Sequence, residues 1–230
     1  MFNEERERPV LFVVDCGSSM QFGTQGSYKS VAAAKVAALL AWSAIAHGDK
    51  VGAILFAGEQ HQEIRPIGGK QGIFKLLNNL VNWNKDIFES GATEYGSKFD
   101  DVVLRLKRVA RPGSLVYIIS DFSLFDKKAE NYLAQIAKHC DLVMINVYDV
   151  MERQAPPSGK YMLTDGEHTG EFNVDTKKVP EALKSSFENH QNKLKHYSIK
   201  HGIYYFSLTA IDDMQQILRD KLTHRMISSR

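Results

Sequence analysis

At 230 residues, 43% of them hydrophobic and 24% charged, the chain has the length of one α/β domain and can bury a core without disulfides. Lys and Arg number 29 against 27 Asp and Glu, a net charge of +2, which gives no case for a nucleic-acid surface, usually marked by a clustered basic excess. No apolar run approaches the roughly 18 residues of a membrane span, and the charged start MFNEERERP lacks the apolar stretch of a secretory leader.

Residues 1–9 read as a charged lead-in, and one domain fills 10–230. The apolar run 10–14 is the first strand. It ends at Asp15 and is followed by the small residues Cys16, Gly17, Ser18 and Ser19, a tight polar turn. Gly23 and Gly26 mark a loop over 21–27. Residues 28–47 are rich in Ala and Leu, and Val31, Ala34, Ala38, Trp42 and Ile45 fall near helical spacing, interrupted mainly by Lys29 and Lys35. Gly48 is the stop signal. The run 50–57 is a second buried strand, and 62–67, charged and carrying Pro66, suits a sheet edge.

Ile73, Leu76, Leu77, Leu80 and Val81 give an amphipathic helix, with a loop over 84–96 around Gly91. Phe99, Val102, Val103, Leu106 and Val109 mark another helix, ended by Pro112-Gly113. Strand 114–120 runs into Asp121. A helix over 126–138 has Asp126 as its N-cap, and 142–147 is a fourth buried strand. Pro156-Pro157, Gly159, Asp165-Gly166 and Gly170 then break the alternation, and 155–175 reads as a β-hairpin insertion. A helix over 178–201, a strand over 203–207 and a closing helix with Ile211, Met214, Leu218 and Leu222 complete the chain. This alternation predicts a mostly parallel, Rossmann-like sheet with helices on both faces.

Ligands of open α/β sheets gather at the carboxyl ends of strands. Asp15 and Asp121 each follow a buried strand, Ser19 follows the first, and Thr93 precedes a helix from the loop at 90–96. Two carboxylates with hydroxyls form a hard-oxygen set suited to Mg²⁺ or Mn²⁺. The structural alternatives are Asp15 capping its loop and Thr93 capping its helix. Phe22, Phe122 and Phe125 flank this region, either as core or as the rim of a protein contact. Cys16 and Cys140 lie far apart beside apolar runs and read as buried thiols of a reducing, cytoplasmic compartment. The eight His form no H-E-x-x-H pattern, no G-x-S-x-G elbow occurs, and Gly68-Gly69-Lys70 falls short of a P-loop.

D-x-G-x-S at 15–19, Thr93 after Gly91, and Asp121 in IISDF resemble the von Willebrand factor A domain and its metal-ion-dependent adhesion site. More narrowly, EERERPVLFVVDCGSSMQFG, GDKVGAILF, ISDF and TDGEHTGEFNVDT with the helix after it resemble the C-terminal A-type domain of DUF58 proteins. The resemblance implies a three-layer α/β fold and a metal site of Asp15, Ser19, Thr93 and Asp121. The family's first motif Ser is Gly17 here, so one neutral oxygen is lost and Mg²⁺ or Mn²⁺ should bind weakly. The resemblance also implies a non-catalytic protein–protein interaction role with a MoxR-type AAA+ ATPase or its client, in complex assembly, and a region preceding this domain that often includes membrane segments. The alternative is a metal-dependent phosphatase or hydrolase using Asp15 and Asp121, for which the sequence shows no nucleophile–base pair.

Overall fold

The computed structural model describes residues 7–90, 99–164, 169–174 and 178–228. Six strands form the main sheet: β1 (Pro9–Asp15), β2 (Lys50–Ala57), β3 (Gln60–Ile67), β4 (Leu115–Ser120), β5 (Asp141–Tyr148) and, labelled β8 by chain order, Tyr204–Thr209. Their order is β3-β2-β1-β4-β5-β8. All neighbours pair parallel except β2 and β3. β3 is thus the antiparallel edge strand that its charges and Pro66 predict. β6 (Lys160–Thr164) and β7 (Thr169–Asn173) pair antiparallel as a separate ribbon.

The inner parallel strands β1, β2, β4 and β5 are buried on both faces, which is why they read as nearly continuous apolar runs. Val10, Phe12 and Val14 point into one layer, with α1 (Lys29–Ala46), α2 (Gly69–Ser90) and α7 (Met214–Ser228). Leu11 and Val13 point into the other, with α3 (Phe99–Val109), α4 (Lys127–Ile136) and α6 (Lys178–His201). The result is the predicted three-layer α/β fold of the von Willebrand factor A type.

Four local expectations need correction. The buried face of α1 is Ala32, Ala33, Val36, Ala37, Leu40, Ala41 and Ala44, and not the stripe through Trp42, which is exposed. Small side chains let this helix lie close on the sheet, so the bulkier residues turn outward. α1 is long and apolar enough to cross a membrane, but half of it is buried inside the protein. α2 continues through 84–90, where a loop is expected, because no Gly or Pro stops it before Gly91. Its later turns are tied down by Trp83 Nε1, which donates to Gln62 Oε1 at 2.7 Å. Ile211 precedes α7 and is exposed. Finally, a one-turn helix, α5 (Val150–Arg153), follows β5, closed by a reciprocal capping box between Asp149 and Glu152.

Two local expectations hold. Gly48 takes φ +82° just past α1, as a helix-ending glycine does. Asp126 caps α4, accepting from Ala129 N at 2.8 Å. β1 has β2 on one side and β4 on the other, so the chain reverses direction across the sheet between β1 and β4, opening a crevice at their carboxyl ends.

Candidate functional site at the carboxyl ends of β1 and β4

Val14 pairs with Ile119, so the next residues, Asp15 and Ser120, stand level at the rim of the crevice. The Ser120 hydroxyl donates to Asp15 Oδ2 at 2.6 Å, and Gly17 N donates to Oδ1 at 2.9 Å. Ser120 Oγ in turn accepts from Phe122 N at 2.9 Å. Phe122 holds the left-handed conformation, φ +55°, uncommon for a non-glycine residue and a sign of a tightly determined turn.

Asp121 opens that turn. Its Oδ1 accepts from Ser123 N at 2.9 Å, and its Oδ2 accepts from Lys29 Nζ at 2.9 Å. Lys29 is the first residue of α1 and only 2% exposed. Its ammonium also donates to Glu152 Oε1 at 2.6 Å. Glu152 is set by α5: its Oε2 accepts from Asp149 N at 2.8 Å. Asp149, itself buried, accepts from Thr24 N at 2.8 Å and Thr24 Oγ1 at 2.5 Å, pinning the loop that follows the 3₁₀ turn Ser18–Gln21. Four segments, the turn after β4, α1, α5 with its cap and the loop holding Thr24, are thereby stitched together around one buried ammonium.

The electrostatics follow from this geometry. Burial, then the charge of Asp121, pushes the Asp15 carboxyl up to about 7. Burial also pushes Asp121 upward, but Lys29, Ser123 N–H and the Ser19 hydroxyl outweigh it and hold the carboxyl below its ordinary range. For Lys29 burial acts downward, and Asp121 and Glu152 reverse it, raising the ammonium above its ordinary value. The pair Asp121–Lys29 is charged and compensated, and Asp15 beside it leans toward its neutral form.

Asp15, Ser19 and Asp121 therefore meet at the crevice, with Ser18 and Ser19 exposed on its lip. Thr93 lies outside the described residues. Phe122 and Phe125 do not form a rim: both are buried in an edge-to-face cluster with Phe99, beneath the site. Cys16 and Cys140 are free and buried. Sequence reasoning missed Lys29, Asp149 and Glu152. Asp149 and Glu152 carried a signal, the D-x-x-E spacing of a capping box.

The oxygen set can be tested against the divalent ion that the adhesion-site motif implies. Gly17 offers no side-chain oxygen, Asp121 Oδ2 is held by the ammonium, and both oxygens of Asp15 accept hydrogen bonds. Among the described residues no group of three or more His, Cys, Asp or Glu is arranged to hold an ion. A cation bound through Asp121 Oδ2 would share that oxygen with the Lys29 ammonium.

The fold is that of a von Willebrand factor A-type domain. The chain belongs to the DUF58 family, described as a protein of unknown function: the family's model matches residues 1–197. Among solved structures it is similar to the conserved hypothetical protein BatB from Bacteroides thetaiotaomicron, at 14% identity and TM-score 0.59, over 94% of this chain and 98% of that one. A von Willebrand factor type A structure from Catenulispora acidiphila matches at 12% identity and TM-score 0.43, over 62% of this chain and 33% of that one. The SpRpn10 VWA domain matches at 8% identity and TM-score 0.39, over 93% of this chain and 95% of that one. None of the curated proteins matches the chain.

Proposed function

We propose that this domain is a non-catalytic protein-interaction module that docks a partner on the strand-end crevice, working with a MoxR-type AAA+ ATPase in complex assembly. The observation that supports this reading best is the Asp121–Lys29–Glu152 ion pair. An aspartate held ionised by a buried ammonium is suited to fixing the shape of a surface, and poorly suited to cycling a proton or attacking a substrate. The exposed hydroxyls of Ser18 and Ser19 then stand on a rigid frame. A preformed frame of this kind lowers the ordering cost of docking. Any Mg²⁺ or Mn²⁺ taken up by Asp15, Ser19, Thr93 and Asp121 binds weakly on this reading, because it competes with Lys29.

The test is co-purification. The protein is mixed with the MoxR-type ATPase of its own host, with nucleotide, and resolved by size-exclusion chromatography. Co-elution with the wild type that is lost in Ser19→Arg supports the reading. Separate elution of both proteins overturns the ATPase partnership. Phosphoester turnover that requires Mg²⁺ and disappears in Asp15→Ala would replace the interaction reading with the hydrolase alternative.

A further inference from the structure

The net charge of +2 is not spread evenly over the molecule. α3 leads into β4, α4 into β5 and α6 into β8, and these three strands are neighbours in the sheet. The last turns of the three helices therefore share one rim, on one face, at the amino ends of the strands. Lys107 Nζ donates to Gln135 Oε1 at 2.6 Å and Gly113 N to His139 O at 2.7 Å, joining the ends of α3 and α4. Residues 104–113, 134–141 and 195–203 hold seven Lys or Arg and a single carboxylate, Asp141. Asp141 is already paired with Arg8. Lys107, Arg108, Arg111, Lys138, Lys195 and Lys200 are all exposed. Among the described residues, none of the six forms an ion pair with a carboxylate. The first turns of the same helices carry the carboxylates Asp100, Asp101, Glu130 and Glu181, at the end nearer the crevice.

Helix dipoles favour cations in a last turn, which accounts for Arg108 and Lys200. Arg111 and Lys138 lie past the ends of α3 and α4, beyond the reach of that argument. Nor does it explain Ile199, which is 72% exposed, the most exposed large apolar side chain among the described residues. On α6, Lys195 and His196 stand one turn before it and Lys200 beside it, all exposed. A basic rim alone fits any polyanion. An exposed isoleucine within that rim fits the one polyanionic surface that has hydrocarbon beneath its charges, a bilayer with anionic headgroups.

We propose that this rim rests on an anionic lipid surface. The six basic side chains lie among the headgroups, and Ile199 reaches the boundary of the acyl chains. Each Lys or Arg close to such a surface raises affinity about fivefold. The attraction falls off over a Debye length, about 8 Å at physiological salt, so the contact is peripheral, reversible and salt-sensitive. No helix has to leave the core to make it. The crevice, at the opposite ends of the strands, faces away from the lipid and stays open to a partner. The inference goes beyond the docking reading and stands without it.

Vesicle co-sedimentation tests it. The 230-residue chain is mixed with vesicles of phosphatidylcholine alone, or of phosphatidylcholine with roughly one-third phosphatidylglycerol, at low and at high salt. The expected result is sedimentation with the anionic vesicles at low salt, lost at high salt and absent with phosphatidylcholine alone. The triple variant Arg108→Glu, Arg111→Glu, Lys138→Glu should weaken binding about a hundredfold or more. A control with the same change in net charge, Lys75→Glu, Lys127→Glu, Lys184→Glu, alters exposed lysines away from the rim and should bind much as the wild type does. Ile199→Ser keeps every charge and should weaken vesicle binding about fivefold, without changing retention on a short DNA duplex. It also serves as the second variant if the triple variant fails to fold by its thermal melt. The proposal is overturned if the wild type ignores anionic vesicles or binds both kinds equally. It is overturned too if the control loses as much as the folded rim variant. An Ile199→Ser protein that binds vesicles as the wild type does, or a wild type that binds the duplex and no vesicle, makes the rim a plain polyanion site and overturns it as well.

Discussion

The Lys29 ammonium stands 2.9 Å from the Asp121 carboxylate and 2.6 Å from that of Glu152, and it does so from the first position of α1. The amino end of a helix carries the positive end of the peptide dipole, so a cation there is locally disfavoured. Two carboxylates reached from distant segments reverse that preference. Breaking such a buried pair from one side strands a charge, and Lys29→Met should cost about 3–5 kcal/mol in urea unfolding. Lys29→Met with Asp121→Asn should recover part of that loss, because no lone charge remains at Asp121. Costs that simply add would show that the two residues are not coupled.

Asp149 ties α5 to the loop after β1. Its carboxylate accepts from Thr24 N, Thr24 Oγ1 and Met151 N, and it is buried. Asp149→Ala removes all three and orphans two backbone donors, so a loss of about 2–4 kcal/mol is expected. Thr24→Val removes only the hydroxyl bond and should cost about 1 kcal/mol. Equal losses in the two variants would mean that the cap on α5 contributes nothing.

The inner strands were legible because each is buried on both faces and must be almost wholly apolar, as 10–14 and 142–147 are. The facing of α1 was not, because a helix apolar nearly all round leaves side-chain size to decide what turns inward, and Ala sits closer than Trp42. Asp15 and Asp121 stood out as the first polar residues after apolar runs. Lys29 did not: its partners lie 92 and 123 residues away, and nothing local says that an ammonium on an Ala-rich helix points at a carboxylate. Asn146 was visible as the lone amide in LVMINVY, an exception to the very rule that identified the strand.

The last prediction concerns the cation at the crevice. Asp121 can serve either the Lys29 ammonium or a divalent ion through the same oxygen, so the two should exclude one another. Wild-type protein should gain little from millimolar Mg²⁺ or Mn²⁺, whereas Lys29→Met, with Asp121 left uncompensated, should gain clearly. Ligand at ten times its Kd stabilises by about 1.4 kcal/mol. Gly17→Ser adds the hydroxyl that the motif lacks. Position 17 has φ −64° and ψ 176°, ordinary for any residue, but a Cβ there meets Asp15 Oδ1 at 3.1 Å. Asp15 must give by a few tenths of an ångström, a small cost, and metal affinity should rise. The combination Lys29→Met with Gly17→Ser should bind most tightly of all. Unfolding curves of the four proteins, each with and without Mn²⁺, decide the matter. If Mn²⁺ stabilises the wild type as much as Lys29→Met, ammonium and metal do not compete. If none of the four responds, the strand-end carboxylates serve Lys29 alone, and the crevice meets its partner without a bridging ion.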